Sequence, residues 1–300
     1  MNPPRSHPPS APVASPDRPR RWRYLWRLPM LLWHVLIDLP ITMVLISPLG
    51  AAIRLPSGER LDQRVLRWWQ GGLLRVFGFR LRCVGTPNRC ATLFVANHCS
   101  WLDICLLHSQ RALGFVGKAE IAAWPLVGWL ATRGGTLYHQ RGSKHSFGAV
   151  SALMVQRLLR GESVAVFPEG GAVGKVDRVG IFHARIFQVC ADADVTVQPV
   201  ALRYVRQGRP ALWVAFGEGE NFFANFWRLL AEPPTTAEAH FLPPLAFSNE
   251  GRRHLAETAR AQIIATLGFA EATPARPSTP ARAVATAGES EAAGDTDASH

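Results

Sequence analysis

The chain predicts an α/β fold, a mixed central sheet covered by helices, preceded by an N-terminal membrane-embedded two-helix segment. Three observations point there. From residue 79 to about 267, short β-branched or aromatic runs alternate with longer stretches of helical periodicity, as in a sheet wrapped by helices. Residues 25–53, LWRLPMLLWHVLIDLPITMVLISPLGAAI, are the most hydrophobic part of the chain and long enough to cross a bilayer. Both ends are poor in large apolar side chains and cannot build a core. The expected organisation is a disordered basic N-terminus (1–21), a membrane-associated helical segment (22–78), an α/β domain (79–269) and a disordered tail (270–300).

Within 25–53, His34 and Asp38 are costly in lipid, and Pro40 interrupts the helical hydrogen-bond ladder. Two short helices bent at Asp38-Leu39-Pro40, dipping into one leaflet, satisfy these residues; a buried helix pair of a soluble protein is the alternative. Arginines stand on both sides, Arg18 to Arg27 before and Arg54 to Arg67 after, which by the positive-inside rule puts both flanks in the cytoplasm. The following RVLRWWQGGLLRVFGF (64–79) interleaves arginine with tryptophan and leucine, as interfacial segments do. The expected location is the inner, cytoplasmic membrane, with the α/β domain on its cytoplasmic face.

Along the domain, strands are expected at 79–85, 92–96, 114–117, 135–139, 163–167, 196–202 and 212–216. Helices are expected at 100–110, 119–132, 144–160, 180–192, 221–231 and 250–267. In 144–160, Phe147, Val150, Met154 and Leu158 recur at helical spacing, which makes Met154 a core residue.

The formal charge of +11 comprises +9 over residues 28–269 and −3 over 270–300, so the globular part is itself basic. Such a surface attracts phosphate groups of lipid, nucleic acid or small anions. No nucleic-acid-binding module is recognisable, and the Arg/Trp mixture lies beside the hydrophobic segment, so no nucleic-acid partner is expected. Five cysteines without a CxxC pair exclude an ordinary disulfide framework or zinc module and fit a reducing compartment.

Chemistry in open α/β sheets collects at the loops beyond strand ends. Two such loops are polar, NHCSWLD (97–103) and PEGGAVGK (168–175). His98 and Asp103 can meet if His98 lies in the turn and Asp103 in the first turn of the helix. Asp103 then fixes the imidazole tautomer, leaving the other ring nitrogen to take a proton. Backbone amides near 98–101 are candidates for stabilising an oxyanion. A metal site assembled from His98, Cys99, Asp103, Cys105 and His108 follows no known ligand spacing, and Cys99 as nucleophile lacks a second histidine; no metal is expected. A histidine beside a helix start and a buried aspartate would serve equally as plain structure. In the second loop, Gly170 and Gly171 permit positive φ and a close ligand approach to backbone amides.

Taken together, these loops resemble the membrane-associated glycerolipid acyltransferases, the family of bacterial 1-acylglycerol-3-phosphate acyltransferases. NHCSWLD matches the family's Asn-His, four residues, Asp, and FPEG (167–170) matches its Phe-Pro-Glu-Gly block. GGTLYHQRG (134–142) carries Arg141 where the family has a substrate-binding arginine; VQPVAL (197–202) carries Pro199 at the family's proline; and GKAEIAAWPLVGW (117–129) places Lys118 at an often basic position. The likeness runs in order over roughly residues 60–205. It implies acyl transfer from acyl-CoA or acyl-carrier protein to the free hydroxyl of a lysolipid, lysophosphatidate first, with no further cofactor. His98 would be the base and Asp103 its orienting partner. Asn97, Lys118, Arg141, Phe167, Pro168, Glu169, Gly170 and Pro199 would bind substrate. Membrane lipids, a lysolipid acceptor and the acyl donor are the implied partners. One departure stands out: Gly171-Ala172 replaces a Thr-Arg or Thr-Ser continuation, so a hydroxyl, and often an arginine, is missing from the presumed head-group loop. That opens the alternative of another lysolipid acceptor, such as lyso-ornithine lipid, with Lys175 or Arg178 as substitutes for the missing cation. A non-enzymatic membrane- or nucleic-acid-binding protein is the competing class.

Overall fold

The computed structural model describes residues 21–140, 144–171 and 176–269. The tails, Arg141, Ala172 and Lys175 lie outside them. The fold is a three-layer α/β sandwich with eight strands among the described residues. Strands β1 (Phe79–Val84), β2 (Thr92–Ala96), β3 (Gly114–Lys118), β4 (Leu137–His139), β5 (Val164–Val166), β6 (Thr196–Arg206), β7 (Arg209–Pro210) and β8 (Thr235–Phe241) lie in the order β1-β8-β6-β2-β5-β3-β4, with β7 a short hairpin on β6. From β6 through β4 the pairs are parallel; β8 runs antiparallel to β6 and parallel to β1, which makes the sheet mixed. The parallel strands β2, β3, β4 and β5 therefore all end at one edge of the sheet.

Helices α1 (Trp22–Trp33), α2 (Leu39–Leu45), α3 (Pro48–Ala52), α4 (Leu61–Val76), α5 (Leu102–Gln110), α6 (Val127–Arg133), α7 (Lys144–Leu159), α8 (Gln188–Ala193), α9 (Phe222–Ala231) and α10 (Gly251–Leu267) cover its two faces. Alternation along β6 shows how one strand feeds two cores: Val200, Leu202 and Tyr204 face the core that holds Leu74, Phe77, Leu102 and Leu106, whereas Val197 and Ala201 face the one that holds Met154, Leu158 and Ile263.

The N-terminal segment departs from expectation. It is not two helices broken at Pro40 but one helix, Trp22–Leu45, in which α1 and α2 are joined by a π-helical turn, His34–Asp38. The Leu39 N–H reaches back to the His34 carbonyl, and the widened turn lets Pro40 follow without ending the helix. The two polar residues of this turn satisfy each other: His34 Nδ1 lies 2.8 Å from Asp38 Oδ2, and Nε2 lies 3.0 Å from the Trp69 carbonyl while the ring stacks on Trp69. Gly72 admits that ring, because a Cβ there would come within 2.7 Å of it. Arg23 and Arg27, expected as flanking charges, are instead buried; they donate to the last carbonyls of α9, at Leu230 and Ala231, and to that of Glu232 just after it. The opposite face, with Leu25, Trp26, Trp33, Leu36, Ile41 and Val44, is exposed.

Four further elements differ from the sequence reading. The strand expected at 212–216 is a buried 3₁₀ turn, Leu212–Val214, because Gln207 and Gly208, both at positive φ, close a hairpin that allows only two residues of pairing. The pairing partner is β8, TTAEAHF, whose inward residues Ala237 and Ala239 are too small to stand out as a strand. The helix expected over 119–132 is split at Trp124-Pro125 into a 3₁₀ turn and α6. The one expected over 180–192 forms only from Ala184, as a 3₁₀ turn leading into α8.

Candidate active site

β2 ends at Ala96 and β5 at Val166, side by side with Val95 paired to Val166, so their loops emerge together. His98 lies in the turn and Asp103 in the first turn of α5. His98 Nδ1 donates to Asp103 Oδ2 at 2.8 Å. The same Oδ2 accepts the N–H groups of Cys99 (2.6 Å) and Ser100 (2.9 Å), and Oδ1 accepts the Tyr204 hydroxyl at 2.6 Å. Asp103 is fully buried, yet four donors compensate its lone pairs, as burial of a carboxylate requires. Its neighbour Tyr204 has its phenol pushed well up, by burial first and by the adjacent carboxylate second, and so stays a donor.

The imidazole of His98 lies flat on Phe167, with ring centroids 4.0 Å apart and planes within 13°. Phe167 in turn stacks on Phe115 of β3. With Nδ1 committed to Asp103, Nε2 is the atom left for a proton, and the side chain retains 15 % exposure. A buried carboxylate, a fixed tautomer and one open ring nitrogen are what general-base chemistry requires.

Glu169 ties the two loops together. Its Oε1 accepts the His98 N–H at 3.0 Å and its Oε2 the Gly180 N–H at 3.1 Å. Burial raises its carboxyl above the ordinary value, and the two amide donors offset part of that rise. Glycine at 180 leaves room for this carboxylate, since a Cβ would sit 2.7 Å from Oε2 and displace it. Arg260 of α10 braces this segment by donating to the carbonyls of Gly180 and Val179. Pro168 and Gly170 shape the turn: the Gly170 N–H donates to the Phe167 carbonyl, Gly170 has φ +77°, and the Pro168 carbonyl accepts from His183.

The other expected residues fall in three places. Lys118 is exposed at the end of β3, paired across to His139 of β4, at the same sheet edge as His98. Asn97 and Pro199 lie inside the frame rather than open to a ligand: the Asn97 amide is spent on both the carbonyl and the N–H of Leu202, and Pro199 is buried in β6 opposite Val95. Arg141 lies outside the described residues. The amides expected as oxyanion donors are also committed, since those of His98, Cys99 and Ser100 all donate inward to carboxylates.

Alternative chemistries lose their basis in the same geometry. The Cys99 thiol is buried and pushed well above its ordinary value, by desolvation first and by Asp103 second, so it cannot supply a thiolate at neutral pH. Cys105, likewise buried, is pushed up to about 12. Burial lowers His108 to about 4, and it packs on Phe115. Among the described residues no group of three or more His, Cys, Asp or Glu is placed to hold a metal ion.

Tyr204, Gly180 and Arg260 escaped the sequence reading. So did the role of Trp101, whose ring packs on Phe77, Phe222 and Phe226 and donates to Asn225 of α9 at 3.0 Å. In-phase alternation after Val200 and Leu202 was the available signal for Tyr204.

Comparison with known proteins identifies the family. The acyltransferase family model matches residues 82–203. The lyso-ornithine lipid O-acyltransferase of Pseudomonas aeruginosa is 36 % identical over 226 residues, 74 % of this chain and 87 % of that protein. The 1-acyl-sn-glycerol-3-phosphate acyltransferase of Neisseria gonorrhoeae is 35 % identical over 118 residues, 39 % of this chain and 45 % of that protein. The crystal structure of the 1-acyl-sn-glycerophosphate (LPA) acyltransferase of Thermotoga maritima shares the fold, with TM-score 0.56 and 17 % identity, covering 84 % of this chain and all of that one. With a relative 36 % identical over 74 % of its length, the chain belongs to the lysophospholipid acyltransferase family.

Proposed function

We propose that this enzyme acylates the free hydroxyl of lyso-ornithine lipid at the cytoplasmic face of the inner membrane, taking the acyl chain from acyl-CoA or acyl-carrier protein. The observation that carries the reaction type is the fixed His98 tautomer, held by a carboxylate with four donors. His98 Nε2 takes the acceptor's hydroxyl proton as its oxygen attacks the thioester carbonyl. The tetrahedral intermediate collapses with formation of the C–O ester bond and cleavage of C–S, and the departing thiolate recovers the proton from the imidazolium. No acyl-enzyme is needed, because the donor is already activated.

The acceptor is argued from the head-group loop. Its described part, Phe167–Gly171, offers neither hydroxyl nor cation to a phosphomonoester. An ornithine head has no phosphate and carries an ammonium beside its carboxylate, so its anionic demand is weaker, and the relatives that align over most of their length carry that acceptor in their names. Lysophosphatidate, the first reading of the sequence, is the second here; it is favoured by the Neisseria relative and by Lys118 at the sheet edge.

The N-terminal helix supports the membrane location: it is about 36 Å long at 1.5 Å per residue, and its exposed face is almost wholly apolar. A panel of lyso-ornithine lipid, lysophosphatidate and other lysophospholipids, assayed with one radiolabelled acyl-CoA, tests the proposal. Lyso-ornithine lipid is expected to give the highest kcat/KM; label transferred to none of them would overturn it.

A further inference from the structure

A groove of about 250 Å³ opens between α4, β1 and the end of α5, lined by Arg64, Arg67, Trp68, Gly71, Arg75 and Leu81. It lies at the C-terminal end of α5, whereas His98 and Asp103 lie at the other end, so it is separate from the catalytic site. Three guanidiniums border it. Glu59 engages two of them, reaching Arg67 at 2.7 Å and Arg64 at 3.5 Å, which leaves the groove with net positive charge. Arg75 makes no ion pair among the described residues and lies over Gly71.

Gly71 itself is informative. It is buried in the middle of a 16-residue helix, where glycine costs roughly 1 kcal/mol relative to alanine. A Cβ there would make only ordinary contacts at 3.6 Å, with Arg75, Leu81 and Ser109, so packing does not demand glycine as it does at Gly72. What its absent side chain preserves is the groove. On one side, exposed Trp68 lies beside His34 of the N-terminal helix, with ring centroids 6.4 Å apart, and that helix presents an apolar outer face. The groove thus joins cationic donors to the rim of the lipid-facing surface.

We propose that this groove holds the phosphodiester head group of an anionic membrane lipid, a docking site distinct from the acceptor site. It rests on the membrane location proposed above. The test is co-sedimentation of the full chain with vesicles of phosphatidylcholine, alone or mixed with phosphatidylglycerol, for wild type, Arg75→Gln, Gly71→Met and Arg54→Gln. Arg54 is an exposed cation that does not line the groove. Each basic residue at an anionic surface is worth about fivefold in binding, so Arg75→Gln should lose at least that for phosphatidylglycerol vesicles. Gly71→Met removes no charge yet should also weaken binding to phosphatidylglycerol vesicles, because it fills the groove. Arg54→Gln should lose less. All variants should keep binding to phosphatidylcholine alone and acyl transfer to detergent-dispersed lysolipid.

Equal losses for Arg54→Gln and Arg75→Gln, with Gly71→Met unchanged, would mean diffuse charge and overturn the site. Equal sedimentation of wild type, Arg75→Gln and Gly71→Met with phosphatidylglycerol vesicles would overturn the lipid assignment. Should Gly71→Met fail to fold, the Arg75 and Arg54 comparison decides alone. The two proposals fail separately: transfer without groove dependence removes only this inference, while groove-dependent binding without transfer removes only the proposed reaction.

Discussion

Asp103→Asn offers a test whose outcome depends on the particular donors found here. An amide has one acceptor oxygen, so its orientation decides the His98 tautomer. At the Oδ2 position three N–H donors converge, from His98, Cys99 and Ser100, whereas Oδ1 faces only a hydroxyl, which can turn and accept. Two of those N–H groups are backbone and cannot reverse, and leaving them unpaired costs about 1–3 kcal/mol each. The amide oxygen must therefore face His98, and its NH₂ must face Tyr204. The tautomer survives, and what is lost is the charge that stabilises the imidazolium as it forms. Two unit charges about 4 Å apart at a partly exposed site interact by roughly 4 kcal/mol, an upper bound that corresponds to a fall of about 10²–10³ in kcat. Initial rates of acyl transfer, with a melting curve to confirm folding, should show that fall with KM for the lysolipid nearly unchanged. Activity within threefold of wild type would refute the stabilisation of the imidazolium by the Asp103 charge. A loss as complete as that from removing the imidazole would refute the fastening of the amide by the backbone.

Three further outcomes follow from the same contacts. Gly180→Ala should push Glu169 off its amide partners and loosen His98, lowering kcat by roughly 10-fold or more without loss of vesicle binding, as steady-state rates would show. Gly72→Val should drive a methyl into the His34 ring and lower stability by about 1–3 kcal/mol, measured by thermal or denaturant unfolding. His108 is held neutral down to about pH 4, whereas in the unfolded chain it takes a proton near pH 6.5; proton uptake therefore favours unfolding as the pH falls through that window. Up to about 3 kcal/mol of stability should be lost between pH 6.5 and 4, and His108→Leu should flatten that part of the pH profile.

The dyad was legible because its chemistry is local: a turn residue and a first-turn helix residue five positions apart meet through backbone geometry alone. The FPEG loop was legible as a position but not as a role. Nothing near Glu169 in sequence shows that its carboxylate would be spent on the amides of His98 and Gly180, 71 and 11 residues away. Tyr204 and Arg260 are likewise supplied from a distance, by a strand that runs past its hydrophobic stretch and by the last helix. In the N-terminal segment, composition identified the apolar face and the cost of His34 and Asp38. The resolution of that cost, a π-helical turn docked on Trp69, depends on α4 and is invisible locally. β8 was missed because alanine at its inward positions mimics a polar loop, while Leu212–Val214 carried strand-like residues into a buried turn.

In the proposed reaction a proton passes from the acceptor hydroxyl to His98. Its most direct measurement is the rate at which radiolabelled acyl-CoA acylates lyso-ornithine lipid with His98→Ala, compared with wild type. The variant should fold, bind vesicles and transfer label at least about 10³-fold more slowly. Wild-type turnover by a folded His98→Ala protein would contradict the account.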